Sequence, residues 1–257
     1  MTALAELFGM TGQLLWLHFI VFLRAAPAIS LFPGFGDGSL PARVKLMMAL
    51  MLTVVTAPVL APDLAQPVSD PPPLAWLVLT ETGIGLLIGI GIRMFLLALQ
   101  TAGSIAAQAT SLSQILGNAG IEPMPAMGYL LVLGGIALAM MLGLHVRLAE
   151  LMILTYRLFP VAELPEPGAV ASWGVKQVAG AFGLAFTLAA PFVIVSVLYN
   201  LTLGIINRAM PQLMVVFVGA PVITGAGLGL LLVLGPSMLR LWIEALGAFM
   251  ANPFGGG

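Results

Sequence analysis

The chain has 257 residues, of which 60% are hydrophobic and 7% charged, against about 25% charged in ordinary soluble domains. With a mean hydropathy of +1.11 it has too little charge to cover the surface of a soluble enzyme, and its composition is that of a polytopic integral membrane protein. The net charge of −1 argues against a nucleic-acid partner, and the absence of cysteine excludes disulfides, thiol catalysis and thiolate metal sites.

The N-terminus has Glu6 and no Lys or Arg before its first apolar run, so a cleaved signal peptide is not expected. Leu7–Leu23 reads as a first membrane helix at the short end of the spanning range, with His18 expected to pack against a neighbour. Arg24 to Lys45 reads as a connector around the turn cluster Pro33-Gly34-Phe35-Gly36-Asp37-Gly38. Its Arg24, Arg43 and Lys45 suggest a cytoplasmic flank. Leu46–Pro62 is a second span, and the proline-rich, acidic 63–73 stretch an exposed loop on the opposite side.

Leu74–Leu99 is a third apolar stretch that carries Glu81 and Arg93. These two lie about 18 Å apart along a helix and cannot pair within it. Both are therefore candidates for charge pairing with another subunit or for reaching the interface. Between them Gly85 and Gly89 form a G-x-x-x-G pair, and Gly83 widens the small-residue face that allows close helix contact.

The stretch from Gln100 to Pro125 is polar and uncharged up to Ile121. Thr101, Ser104, Gln108 and Ser111 recur at i, i+3, i+7 and i+10 on one helical face; Ile105, Ala109, Leu112 and Leu116 occupy another. Gly117-Asn118-Ala119-Gly120 then breaks the pattern, and Pro123 and Pro125 hinder its resumption. Two readings stand at this point: an ordinary loop between spans, or backbone that lines or closes an aqueous path.

Met127–Val146 is apolar and continues past Arg147 and Glu150 towards Phe159, which predicts one long helix with an i, i+3 ion pair. Glu163–Lys176 is a polar connector. Gln177–Asn207 is 31 residues without charge. As a straight helix it would measure about 46 Å, against a hydrocarbon core of about 30 Å, and Pro191 is expected to kink or break it. Asn200, Gly204 and Asn207 share a face, followed by the short turn Arg208-Ala-Met-Pro211-Gln212. Leu213–Leu239 is the last apolar run, and residues 251–257 read as a flexible tail. The fold expected is thus all-α, with about six hydrophobic helical segments, kinked or broken, arranged in hairpins. Counting basic residues in the connectors gives a topology that is only partly consistent.

No phosphate loop, zinc helix or nucleophile elbow occurs. His18 and His145 have no acid or thiol at ligand spacing. Neither an enzyme nor a bound cofactor or metal is expected.

The segment Asn200-Leu-Thr-Leu-Gly204-Ile-Ile-Asn207-Arg208-Ala-Met-Pro211-Gln212, extended through Gly219 and Pro221, closely resembles the FliR family of flagellar export proteins and its virulence-secretion relatives. Arg24 with Pro33-Gly34-Phe35-Gly36 and Pro41-Ala42-Arg43-Val44, the 100–125 stretch, and Gly143-Leu-His145 through Phe159-Pro160 resemble the same family, so the likeness runs over nearly the whole chain. The resemblance implies a subunit of a type III protein export gate in the bacterial inner membrane. It implies a helical assembly formed with FliP and FliQ and docked to FlhB and FlhA, through which unfolded flagellar proteins pass. It further implies that residues 1–175 are FliP-like and 176–250 a FliQ-like hairpin. By position the channel plug falls on Leu112, Ile115, Leu116, Gly117 and Asn118, behind a channel-facing polar row of Thr101, Ser104, Gln108 and Ser111. Relatives carry aromatic and Met residues in this region where the present chain has Gln108-Ala109-Thr110-Ser111-Leu112-Ser113, which leaves Leu112, Ile115 and Leu116 to supply the apolar bulk. Asn200, Gly204, Asn207, Arg208, Pro211 and Gln212 either cap a tight hairpin turn or contact a neighbouring subunit. A virulence-type gate subunit is the alternative within the family. Outside it, a small-molecule secondary transporter fits the proline-interrupted runs, although the two halves show no internal repeat.

Overall fold

The computed structural model describes residues 2–34, 40–64, 72–110, 126–210 and 215–255. They form seven helices: α1 (Thr2–Leu31), α2 (Ala42–Leu64), α3 (Leu74–Thr110), α4 (Ala126–Met141), α5 (Leu144–Leu158), α6 (Pro167–Ala209) and α7 (Val215–Ala251). No strand occurs among the described residues. Five helices are long and apolar enough to cross a membrane, or six spans if the broken α4–α5 pair is counted as one. The chain is an all-α integral membrane protein.

Three expected boundaries are corrected. The first helix does not stop at Leu23: α1 runs on to Leu31 through Arg24 and Pro27, so Arg24 lies inside a helix rather than on a cytoplasmic flank. The predicted single helix after residue 127 is two helices. Gly143 adopts the left-handed conformation with φ 79°, which glycine enters without a Cβ penalty, and the helical hydrogen-bond ladder is interrupted there. Conversely, α6 continues through Pro191 for 43 residues. Proline forgoes one ladder bond, and here the helix resumes on its far side.

The helices divide into two compact units that are discontinuous in sequence: residues 1–93, 142–175 and 248–257 form unit 1, and residues 94–141 and 176–247 form unit 2. The core of unit 1 gathers Leu17, Ile20 and Val21 of α1, Ala57 and Leu60 of α2, Leu77 of α3 and Tyr156 of α5. The G-x-x-x-G pair of α3 does what small residues allow at a helix crossing. A Cβ at Gly85 would collide with the Arg24 carbonyl oxygen and stand 2.7 Å from the Pro27 ring, and one at Gly89 would lie 3.0 Å from Leu31 Cβ. Gly83 faces open space. Residues 252–255, expected in a flexible tail, are docked within unit 1. The Pro253 carbonyl accepts a hydrogen bond from Trp173 Nε1 at 2.7 Å, and the Phe254 ring packs edge-on against Phe159 with centroids 4.8 Å apart.

Unit 2 is organised around Trp242 of α7, fully buried, whose Nε1 donates to the Phe95 carbonyl of α3 at 2.8 Å. Gly135 of α4 makes room for it: a Cβ there would lie 2.6 Å from Leu99 Cδ1 and 3.4 Å from the indole. From α6 a narrow stripe is buried, Ala185, Leu188, Ala189, Phe192 and Ser196, spaced at helical repeats of three and four. Within an apolar 18-residue window of each, α3 is 50% buried, α6 28% and α7 17%. Much of α6 and α7 is therefore apolar surface left to lipid or to other chains.

Candidate functional site: a buried charge cluster and two hairpin ends

The strongest polar feature lies in unit 1. Arg24 of α1 and Glu81 of α3 are fully buried and joined at 2.8 Å between Nε and Oε2. The same guanidinium donates from Nη1 to Thr155 Oγ1 at 3.3 Å and from Nη2 to the Phe159 carbonyl at 3.1 Å. Its Cζ lies 3.6 Å from the centroid of the Tyr156 ring, within cation–π range. A cation bonded to the C-capping Phe159 of α5 also lies at the negative end of that helix dipole. Glu81 uses its second oxygen, Oε1, to accept the Ala162 N–H at 3.2 Å.

Ala162 itself has φ 63°, a conformation that disfavours a Cβ. Two bonds hold it there: its N–H to Glu81, and its carbonyl, which accepts from Trp76 Nε1 at 2.9 Å. Every buried side-chain nitrogen and oxygen of the cluster has a hydrogen-bond partner. A fully desolvated, fully partnered ion pair holds no free acid or base for chemistry; it fixes α1, α3 and the end of α5 to one another.

This corrects the expectation for Glu81, whose partner belongs to its own chain rather than to another subunit. Arg93 is half-buried and forms no ion pair among the described residues. Arg147 and Glu150, expected to pair on α5, do not; both are exposed beside a cavity of about 290 Å³ lined also by Leu151, Leu154, Met250 and Ala251.

In unit 2, α3 carries Thr101 and Ser104 half-buried and Gln108 exposed, with Ala102, Gly103, Ala106 and Thr110 buried on the other side. The polar row is thus partly uncovered. Ser111 and the expected plug residues Leu112, Ile115, Leu116, Gly117 and Asn118 lie outside the described residues. The two ends of that segment are firmly held. The chain leaves α3 at Thr110 and returns as α4, where the Gly128 backbone sits so close to Gly103 that a Cβ on Gly103 would overlap it. Thr110 is fixed as well. A Cβ on Gly227 of α7 would come within 2.6 Å of its methyl group, and its hydroxyl donates to the Ala106 carbonyl at 2.9 Å.

The other hairpin end belongs to α6 and α7. Asn200, Gly204, Asn207 and Arg208 are all exposed on α6. Asn200 Nδ2 donates to Ser196 Oγ at 3.2 Å, whereas Asn207 and Arg208 make no side-chain hydrogen bond to described residues. Pro211 and Gln212 lie outside the described residues. Deeper in the hairpin, Gly219 of α7 lies against the Tyr199 hydroxyl of α6, leaving no room for a Cβ.

Residues 15–249 match the model of the family described as bacterial export proteins, family 1. The flagellar biosynthetic protein FliR of Caulobacter vibrioides is 31% identical over 227 residues, covering 88% of this chain and 90% of the relative. The chain belongs to the FliR family of bacterial export proteins. Two further FliR relatives are the Escherichia coli K12 protein, 29% identical over 86% of the chain and 84% of its own length, and the Bacillus subtilis 168 protein, 25% identical over 79% of each. In this FliR-family chain the residues of the cluster that the sequence did not point to are Thr155, Tyr156 and Ala162, and Arg24 was assigned to a flank instead. Arg24 alone left a signal, a charge followed at once by further apolar, helix-compatible sequence.

Proposed function

We propose that this chain is a subunit of the flagellar type III protein export gate in the bacterial inner membrane. In this reading it forms part of the channel for unfolded flagellar proteins, together with FliP and FliQ and in contact with FlhB and FlhA. The observation that carries the reading is the similarity to FliR proteins along both chains nearly from end to end. The geometry is consistent with it. Asn207 and Arg208 are exposed and make no side-chain hydrogen bond to described residues, as suits a surface completed by another subunit. The neutral row Thr101, Ser104, Gln108 and Ser111 offers hydrogen bonds without charge, so it would let extended polypeptide pass without binding it tightly. Residues 1–175 would take the FliP-like role and 176–250 the FliQ-like hairpin. Unit 2 holds residues 176–247 of that stretch together with residues 94–141.

The test is functional replacement. The chain expressed in a bacterium lacking its own FliR should restore motility and should co-purify from detergent extracts with FliP and FliQ. Recovery only as a monomer or homo-oligomer, with no rescue, would refute the reading and favour a transporter.

A further inference from the structure

Phe159 belongs to two networks at once. Its backbone carbonyl accepts Arg24 Nη2 at 3.1 Å, and its ring meets Phe254 at 4.8 Å. Phe254 also packs on Trp173 of α6 at 5.4 Å between centroids, and Trp173 Nε1 holds the carbonyl of the neighbouring Pro253 at 2.7 Å. Pro253 is buried, and Phe249, at the end of α7, sits with Trp173 beside Gly91 so that a Cβ there would come 2.6 Å from the Phe249 ring. The α5–α6 corner, residues 159–166, is therefore gripped from two sides. The Arg24–Glu81 pair holds Phe159 and Ala162 through their backbones, and the segment after α7 holds Phe159 and Trp173 through their rings.

The corner also contains the left-handed alanine, Ala162. A residue in a sparsely populated conformation persists only where its surroundings over-determine it. We propose that residues 252–255 act as a strap. By packing on Phe159 and Trp173 they hold the corner in the one conformation in which Ala162 meets Glu81, so that unit 1 closes fully only once the chain has been made through Phe254. Until then the buried charge pair lacks part of its frame. The strap thus couples completion of α7 to the fixing of α1, α3 and α5.

Hydrogen–deuterium exchange on the purified chain tests this, read on peptides covering 159–166 with peptides of α2 as internal reference. Phe254→Ala, or a chain ending at Ala251, should speed exchange at the Ala162 amide by about tenfold, the scale of an aromatic pair lost from a local opening equilibrium, and leave α2 unchanged. Trp173→Phe keeps an aromatic ring at this place but removes the indole N–H that bonds Pro253; it should give a smaller increase. Arg24→Met should open the same amide, and Arg24→Met with Phe254→Ala should open it little further than the stronger single change. Unchanged exchange at Ala162 in Phe254→Ala, or effects of the two changes that simply add, would overturn the proposal. If Phe254→Ala does not accumulate, Phe254→Leu and Trp173→Phe give the same readout with milder changes.

Discussion

Arg24 and Glu81 illustrate why a buried ion pair is weak as a source of stability and strong as a constraint. Desolvation cancels much of the attraction between them, but removal of one partner strands the other. Arg24→Met or Glu81→Gln should each destabilise the detergent-solubilised chain by about 3–5 kcal/mol, read as a drop in thermal midpoint, whereas the double change to apolar residues should recover much of the loss. Glycines give a second contrast at this scale. Gly85→Ala places a methyl on the Arg24 carbonyl and should cost about 1–3 kcal/mol or more as overpacking. Gly83→Ala meets nothing within 4 Å and should stabilise α3 by up to about 1 kcal/mol through helix propensity. The sequence made Gly85 and Gly89 visible as a spaced pair. It could not say that their partner was α1 of the same chain, because no periodicity links Gly85 to Arg24 or Gly89 to Leu31 across so long a stretch of chain. Arg24 was misplaced for a related reason. A lone cation after an apolar run marks the end of a span in lipid, but inside a protein it marks a partner.

The apolar runs announced all the helices, but their breaks were harder to read. Pro191 was expected to kink or break its helix and does not end it, whereas Gly143, inside a run expected to be one helix, does. The difference is energetic. A proline removes one hydrogen bond from a ladder of some forty residues in α6, while a residue fixed at φ 79° cannot carry a helix forward at all. The two functional expectations at this scale concern the loops at hairpin ends. The helices that flank residues 111–125 are packed closely at Gly103–Gly128 and at Thr110–Gly227. In the proposed gate, changing Leu112, Ile115 and Leu116 to Gly, or deleting 112–119, should raise the ion conductance of the reconstituted complex at normal complex yield. An unchanged conductance would dismiss these residues as a plug. At the other hairpin, Arg208→Ala should lower the recovery of FliP and FliQ with the chain if its exposed guanidinium meets a neighbour. Full recovery would assign it to the local turn.

At the scale of the whole molecule, α6 at 43 residues would measure about 65 Å, twice the hydrocarbon thickness of about 30 Å. Counting basic residues in connectors assumes that each apolar run crosses lipid once, and here that assumption fails on length alone. Composition was enough to establish an all-α membrane protein. The grouping of its helices was not legible, because it depends on contacts between distant segments: each unit is assembled from separate stretches, and the chain passes from one to the other at 93/94, 141/142, 175/176 and 247/248. That stitching has a consequence for what can be cut. A chain severed between residues 141 and 142 yields two pieces, each holding an incomplete share of both units, so neither piece owns a foldable core. Expressed singly, both should be degraded; expressed together, they should protect one another and be recovered as a non-covalent pair. Neither unit could then be inherited or engineered as a module of its own, because each is woven from stretches on both sides of the cut.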